Sequence, residues 1–545
     1  MKHFFLKFFE RIENAPLTLG SFATAFVALI LVKLSVEGAL EWFEPESLTF
    51  FFFQFNHTFL FFLCSFLTLL PIVRFAGTKT ISNAANILLF GFLLIVTPPI
   101  FDRLIFGKES YWSFYEFDGL FGLVQRFFTL FGDSPDIGIT YGVRIEVVLV
   151  TIALGFYTYL KSERIGKALL VSLLTYTVLF VFGTFPSWVA LLVFSFEKSL
   201  FAVTSADVAA LFLTPGHVLG RELTDFRTVL STKGTLVYII VFVTLTSILL
   251  FRQYPRYFFA LIKNARLPQL LYHAGLLFLG MILASSFTDG QFKLSFFYIL
   301  GALALLMGTW SAWIASVIVN DLYDTKIDAI TNPNRPLIQN TIPRELYRTF
   351  GLLFFFASLL FAGAVNFSAA MLLFIYQALA WLYSAPPLRL KQYPGLATLI
   401  AAFAGILILI AGFVTIAPTH DVKALPLSIL AYLFIAYFLV LPIKDFKDIA
   451  GDQKDGIYTI PVLLGASLGK QVIGSFLFLL FALSPQILHM KLLLLPALIF
   501  GTLAFFTLQK GTDNEASPFA YRKLPLLIIL ITLGYGLAIF FALTN

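Results

Sequence analysis

One cysteine, Cys64, is all that 545 residues contain, so no disulfide can form within the chain and no cysteine cluster can hold a metal. Charge is nearly as scarce: Asp, Glu, Lys and Arg make up 12% of residues, against 59% hydrophobic and 17% aromatic, with mean hydropathy +0.90. That balance excludes the two or three soluble domains the length would otherwise allow and indicates an all-α, polytopic membrane protein. The net charge of +7 does not point to nucleic acid, because the cations sit in short loops between apolar runs, where topology accounts for them. Residues 1–256 contain no repeat, low-complexity tract or phosphate-binding glycine loop. At the N-terminus Lys2, Lys7 and Arg11 are mixed with Glu10 and Glu13, and the apolar run that follows passes Ile30 without a small-residue cleavage signature. It reads as a retained first span.

Apolar runs of bilayer length lie near 17–40, 49–73, 83–105, 143–160, 166–188 and 235–251. Trp188 to Leu213 is also apolar, but Glu197 and Lys198 would sit near its middle, where an unpaired charge is costly. Charge bias sets the count. Lys2, Lys7, Arg11, Arg74, Lys79, Lys161, Arg164 and Lys167 mark the N-terminus and alternate loops as cytoplasmic, and the basic segment Arg252 to Arg266 joins them only after an even number of crossings. Six full spans are expected, with 188–213 re-entrant, interfacial or paired back on itself. The aromatic stretch from Tyr111 to Asp136 suits a helix on the outer membrane surface, and Arg144 with Glu146 suits a buried ion pair. From Pro268 onward, runs near 269–287, 294–319, 346–366, 368–384, 396–417, 425–443, 470–487, 490–508 and 524–542 give about nine more spans.

Two of these runs end in carboxylates at a shared spacing. Asp321, Asp324 and Asp328 follow the run from Leu294, and Asp445, Asp448 and Asp452 follow the run from Leu425 to Ile443. On a helix advancing roughly 100° per residue, each set falls within roughly 60°, a single acidic stripe. Like charges so close need a counter-ion, and the usual hard cation for an all-oxygen site is Mg²⁺. A solvated helix end is the plainer explanation of one stripe; the recurrence of the spacing argues against it.

With Asn334-Arg335-Pro336-Leu337 after the first stripe, Gly456 to Pro461 after the second, and the loop Tyr383-Ser384-Ala385-Pro386-Pro387-Leu388-Arg389-Leu390-Lys391 between them, the chain resembles the UbiA superfamily of intramembrane prenyltransferases. The resemblance covers residues 257–545 and leaves 1–256 as a membrane domain of unread function. It implies a nine-helix bundle preceded by about six further transmembrane helices, and Mg²⁺-dependent transfer of an isoprenyl group from a prenyl diphosphate to an acceptor. It implies Asn320, Asp321, Asp324, Asp445 and Asp448 as catalytic, and all six stripe aspartates as metal ligands. Arg335, Lys391, Arg389 and Lys447 are candidates to contact the diphosphate, and Tyr323, Tyr383 and Tyr458 to stabilise an allylic cation or face the acceptor. The acceptor is left open between an aromatic or quinone precursor, a tetrapyrrole, a phosphoribose and a lipid precursor, with a slight leaning to the homogentisate, chlorophyll and archaeal lipid branches. Charge bias places the N-terminus and both acidic motifs on the cytoplasmic side of a cell or inner membrane. The alternative is a transporter or lipid carrier, since intramembrane acids also mark ion pathways.

Overall fold

The structure is a computed structural model. It describes every residue except 1, 42–47, 106, 108–114, 133–137, 220, 291–294, 394, 418–421, 448, 450–452, 454–457, 511–517 and 545. The backbone divides into two compact units, Met1–Gly216 with Leu223–Leu249, and His217–Glu222 with Leu250–Asn545. Among the described residues 13 helical segments are long and apolar enough to cross a membrane, and the one sheet is a short hairpin of β1 (Gly216–Val218) and β2 (Arg221–Leu223).

The first unit opens with a short amphipathic helix, α1 (Lys2–Glu13), followed by α2 (Leu19–Glu41) and α3 (Leu48–Ala76). The span expected at 83–105 is interrupted: α4 (Ile81–Gly91) passes through a 3₁₀ turn (Phe92–Val96) into α5 (Pro98–Leu104). Pro98 and Pro99 supply no N–H to the preceding turn, and the Thr97 hydroxyl donates back to the Leu94 carbonyl at 2.8 Å. Next come α6 (Leu120–Phe128), α7 (Tyr141–Ser162), α8 (Ile165–Gly183), α9 (Phe185–Phe194), α10 (Ser205–Leu213) and α11 (Phe226–Gln253). The 188–213 stretch is therefore two short helices packed on each other. Its awkward charges lie in the turn between them, where Lys198 pairs with Asp207 at 2.7 Å. Arg144 does not pair with Glu146, contrary to the sequence expectation. Its guanidinium donates instead to the carbonyls of Ile139 and Gly132, because it sits beside the turn that leads into α7.

In the second unit α12 (Pro255–Asn264) precedes α13 (Leu267–Phe287), α14 (Phe296–Tyr323), α15 (Thr325–Thr331), α16 (Arg344–Val365), α17 (Phe367–Ser384) and α18 (Leu396–Ile416). They are followed by α19 (Leu427–Val440), α20 (Ile460–Ile487), α21 (Leu494–Gln509) and α22 (Pro518–Thr544). Nine of these, α13, α14 and α16–α22, match the nine expected runs. With 14 residues α19 is about 21 Å long. The seven-residue 3₁₀ stretch Leu441–Lys447 adds about 14 Å, enough to complete a crossing.

Glycine sets one helix contact closely. A Cβ on Gly280 would stand 1.9 Å from the Leu409 carbonyl oxygen, and one on Gly412 would stand 2.1 Å from that of Leu277. The backbones of α13 and α18 touch there, as small residues permit inside a bilayer.

Candidate functional site

The first acidic stripe is not one uninterrupted helix. The backbone leaves helical geometry at Asp324 (φ −102°, ψ 16°), which ends α14 and begins α15, while the Asp328 amide still bonds the Asp324 carbonyl at 2.8 Å. The three carboxylates stay together, and they are 1%, 6% and 3% exposed, so a solvated helix end is excluded.

Their charge is met by cations carried on other segments. Asp321 accepts from Arg335 and, at 3.5 Å, from Arg266 through Oδ1; its Oδ2 accepts from Asn264 Nδ2 and the Tyr347 hydroxyl, each at 2.8 Å. Arg335 also reaches Asp328 at 2.9 Å. Asp324 accepts from Arg389 at 3.0 Å and from Lys391. Lys391 further donates to Asn320 Oδ1 at 3.1 Å, where the Ser384 hydroxyl also bonds at 3.2 Å. The three carboxylates therefore face four cations, Arg266, Arg335, Arg389 and Lys391, drawn from three loops. Burial, followed by the neighbouring carboxylates Asp321 and Asp324, pushes the Asp328 carboxyl up to about 6, against the opposing pull of Arg335. Burial lowers the Lys391 ammonium and the Arg266 guanidinium, with the carboxylates working the other way.

Two of the four cations sit on left-handed backbone, Arg266 at φ 59° and Arg389 at φ 40°, each just ahead of a helical turn. Non-glycine residues hold this geometry at an energetic cost, and neighbours must fix it. At Arg266 they do: Trp313 Nε1 donates to the Ala265 carbonyl at 2.9 Å, and the guanidinium lies 6.0 Å from the Trp313 ring.

The second acidic motif is described only at Asp445, which is partly buried; Asp448, Asp452 and the Lys447 side chain lie outside the described residues. The ring of Tyr272, near the start of α13, meets that of Tyr437 on α19 edge to face at 5.5 Å. Asp445 lies eight residues beyond Tyr437 in the chain. Among the described residues no three His, Cys, Asp or Glu side chains gather as a metal-ligand group.

The tyrosines are placed differently. Tyr323, two residues from Asp321 and so about 200° around the helix, packs edge to face on Trp381 at 5.8 Å. Tyr383 is half-buried in the last turn of α17, and Tyr458 is exposed. The aromatic groups that do gather at this end are Trp313, His273 and Tyr376: the His273 ring lies 4.8 Å from Trp313, and its Nε2 meets the Tyr376 hydroxyl at 3.0 Å. Asn264, Arg266 and Tyr347 are absent from the sequence-based site. They come from outside the motifs, and the one signal available was the basic segment ending at Arg266.

Residues 276–528 match the model of the UbiA prenyltransferase family. A 253-residue stretch is 24% identical to a digeranylgeranylglyceryl phosphate synthase of Methanosphaera stadtmanae, covering 44% of this chain and 87% of that protein. Another, of 162 residues, is 30% identical to the 33 kDa chain of bacteriochlorophyll synthase of Rhodobacter capsulatus, covering 28% of this chain and 51% of that one. The solved structure of an Archaeoglobus fulgidus UbiA homolog bound to DMAPP and Mg²⁺ aligns with 50% of this chain and 97% of its own, at 20% identity and TM-score 0.38. The matched stretch contains both acidic motifs and the loop that carries Arg389 and Lys391, so the order of motifs along the chain and the family assignment agree: residues 276–528 form a UbiA prenyltransferase family domain.

Proposed function

We propose that residues 257–545 are the prenyltransferase unit, that they transfer an isoprenyl group from a prenyl diphosphate to an amphiphilic acceptor at the Asp321 end of the bundle, and that residues 1–256 are an accessory membrane domain. One observation carries this reading: three buried carboxylates at a helix end are paired with cations carried on other loops. Such a cluster can exchange partners. With a diphosphate present, Arg335, Arg389 and Lys391 move from carboxylate to phosphate oxygens, arginine giving the planar two-point contact phosphates accept. Asp321, Asp324 and Asp328 are then free as oxygen donors.

Those donors fit Mg²⁺, a hard cation that takes carboxylate, water and phosphate oxygens, and Asp445, Asp448 and Asp452 are proposed as the opposing set. Bound there, Mg²⁺ supplies the Lewis-acid charge that stabilises a departing diphosphate. Asn264 and Tyr347 hold the Asp321 carboxylate in place. Asn320, held by Lys391 and Ser384, orients the acceptor. Trp313, His273 and Tyr376 offer aromatic faces and exclude water where an allylic cation needs shelter. The site and the N-terminus are assigned to the cytoplasmic side by loop charge.

The names of the matched relatives support a geranylgeranyl donor, with a glyceryl phosphate lipid precursor or a tetrapyrrole as acceptor. The test uses the purified full-length protein in nanodiscs with labelled geranylgeranyl diphosphate and Mg²⁺. Geranylgeranylglyceryl phosphate and a chlorophyllide are offered in parallel. Label should pass to one acceptor with release of diphosphate. Label moving across a vesicle bilayer without diphosphate release would instead favour a carrier.

A further inference from the structure

We infer that the first unit holds a binding site of its own, a cavity that takes an amphiphile with a cationic nitrogen head. The cavity measures about 460 Å³ and is lined only by residues of that unit. Most of its wall is apolar and aromatic, Phe62 and Phe92 included. Lys33, Glu37, Gln54, Asp102 and Glu146 interrupt it. Their positions put charge inside the bilayer: Glu37 and Lys33 lie four and eight residues before the end of α2, roughly 6 and 12 Å, and Glu146 lies five residues into α7, roughly 8 Å. Ionisable groups at such depth are retained for use.

Three observations choose the ligand. Acid outnumbers base among the described lining residues, where Glu37, Glu146 and Asp102, the last accepting from the Gly142 amide at 2.7 Å, stand with one cation, Lys33. One of the acids is also incompletely bonded. Lys33 takes Glu37 Oε1, but Glu37 Oε2 is buried with no hydrogen-bond partner. Glu146 lies within electrostatic reach of Lys33 and Glu37. Lastly, the Lys33 ammonium lies 5.7 Å from the centre of the Phe62 ring, so the wall already accommodates one cation on an aromatic face.

The break in the third span gives independent support. Irregular backbone at membrane depth persists where it lines a cavity, and the interrupted segment from Gly91 through Pro99 to Asp102 forms one wall here. The cavity volume is that of a small-ligand pocket.

The test is competition binding to the full-length protein in nanodiscs of uncharged lipid, with tritiated dodecylamine as probe. Dodecyltrimethylammonium should displace it, and dodecanol and dodecyl sulfate should not. Glu146→Gln and, separately, Glu37→Gln should each weaken dodecylamine binding about tenfold while prenyl transfer stays unchanged. Equal displacement by dodecanol would make the cavity an indifferent slot for any alkyl chain and overturn the inference. Displacement by dodecyl sulfate would make it an anion site around Lys33, with the same result. The competition profile is read on the unmutated protein, so a variant that fails to fold does not remove the test. Unchanged binding in both folded variants would also refute it.

Discussion

The Asp321 site of the second unit and the cavity of the first bury acid in opposite ways. In the second, three carboxylates are enclosed by four cations, and every oxygen of Asp321 and Asp324 has a donor. In the first, carboxylates around the cavity outnumber the one lysine, and Glu37 Oε2 is left without a partner. A buried charge without compensation is destabilising, and a compensated one is not free to bind. On the proposed reading the second unit stores its carboxylates in a paired state that a metal diphosphate displaces, whereas the cavity of the first presents the unpaired Glu37 Oε2 to whatever enters. On these two proposals the same residue type serves an exchange site in one case and a receptor in the other.

Removing a carboxylate from the exchange site should have the largest effect. Asp321→Asn keeps the volume but removes the charge that Arg335 and Arg266 answer. Prenyl transfer should fall at least about 10²-fold in a radiolabel assay. Asp321→Ala also removes the acceptor shared by Asn264 and Tyr347 and should lower stability further, by about 1–3 kcal/mol. Near-normal turnover in the folded Asn variant would remove the exchange mechanism. Arg335→Ala comes next. It frees both Asp321 and Asp328 of their shared cation, so transfer should drop about tenfold to a hundredfold. Mg²⁺ affinity, read by titration, should rise if Arg335 competes with metal for the same oxygens.

How much of this could be read in the chain differs between the units for a physical reason. Long apolar runs with charged ends announce helices whatever their partners, which is why the nine runs after Pro268 reappear as nine helices. The acidic stripe was legible because its residues are near one another in sequence and in space. Asn264 and Tyr347 were not, since each reaches Asp321 from another helix and nothing local marks it. Tyr323 stands apart from Asp321 by about 200° around the helix, the same helical geometry that gathers the stripe on one face. In the first unit the break at Pro98-Pro99 could be seen in the residues, but a run of apolar composition hides it from any count of spans. Lys33, Glu37 and Glu146 are separated by as many as 113 positions, and only the fold gathers them.

Between these ionic sites and the rest of the fold stands the glycine contact that holds α13, and with it Arg266, against α18. Gly280→Ala would drive a methyl into the Leu409 carbonyl, a backbone atom that cannot rotate away. The strain should cost about 1–3 kcal/mol, measured as a lower unfolding temperature in detergent. Because the helix end carries Arg266, transfer should weaken with it. A variant that loses stability while transfer is intact would show that the position of Arg266 does not matter to the reaction.

The smallest expected effect asks whether four cations fully compensate three carboxylates. The Asp328 carboxyl, held at about 6 by burial and its acidic neighbours, loses its proton later than the same group does in an unfolded chain, near 4. Between those values the folded protein holds the extra proton. The contribution of this group to stability is therefore present below about pH 4, is lost as pH rises toward about 6, and is constant above it. In metal-free protein the unfolding temperature should carry a downward component over that window, isolated as the difference from Asp328→Asn, which has no proton to lose. Parallel profiles for the two proteins would mean that Arg335 neutralises Asp328 completely. The second unit would then be fully compensated, and metal would bind there only by displacing an ion pair.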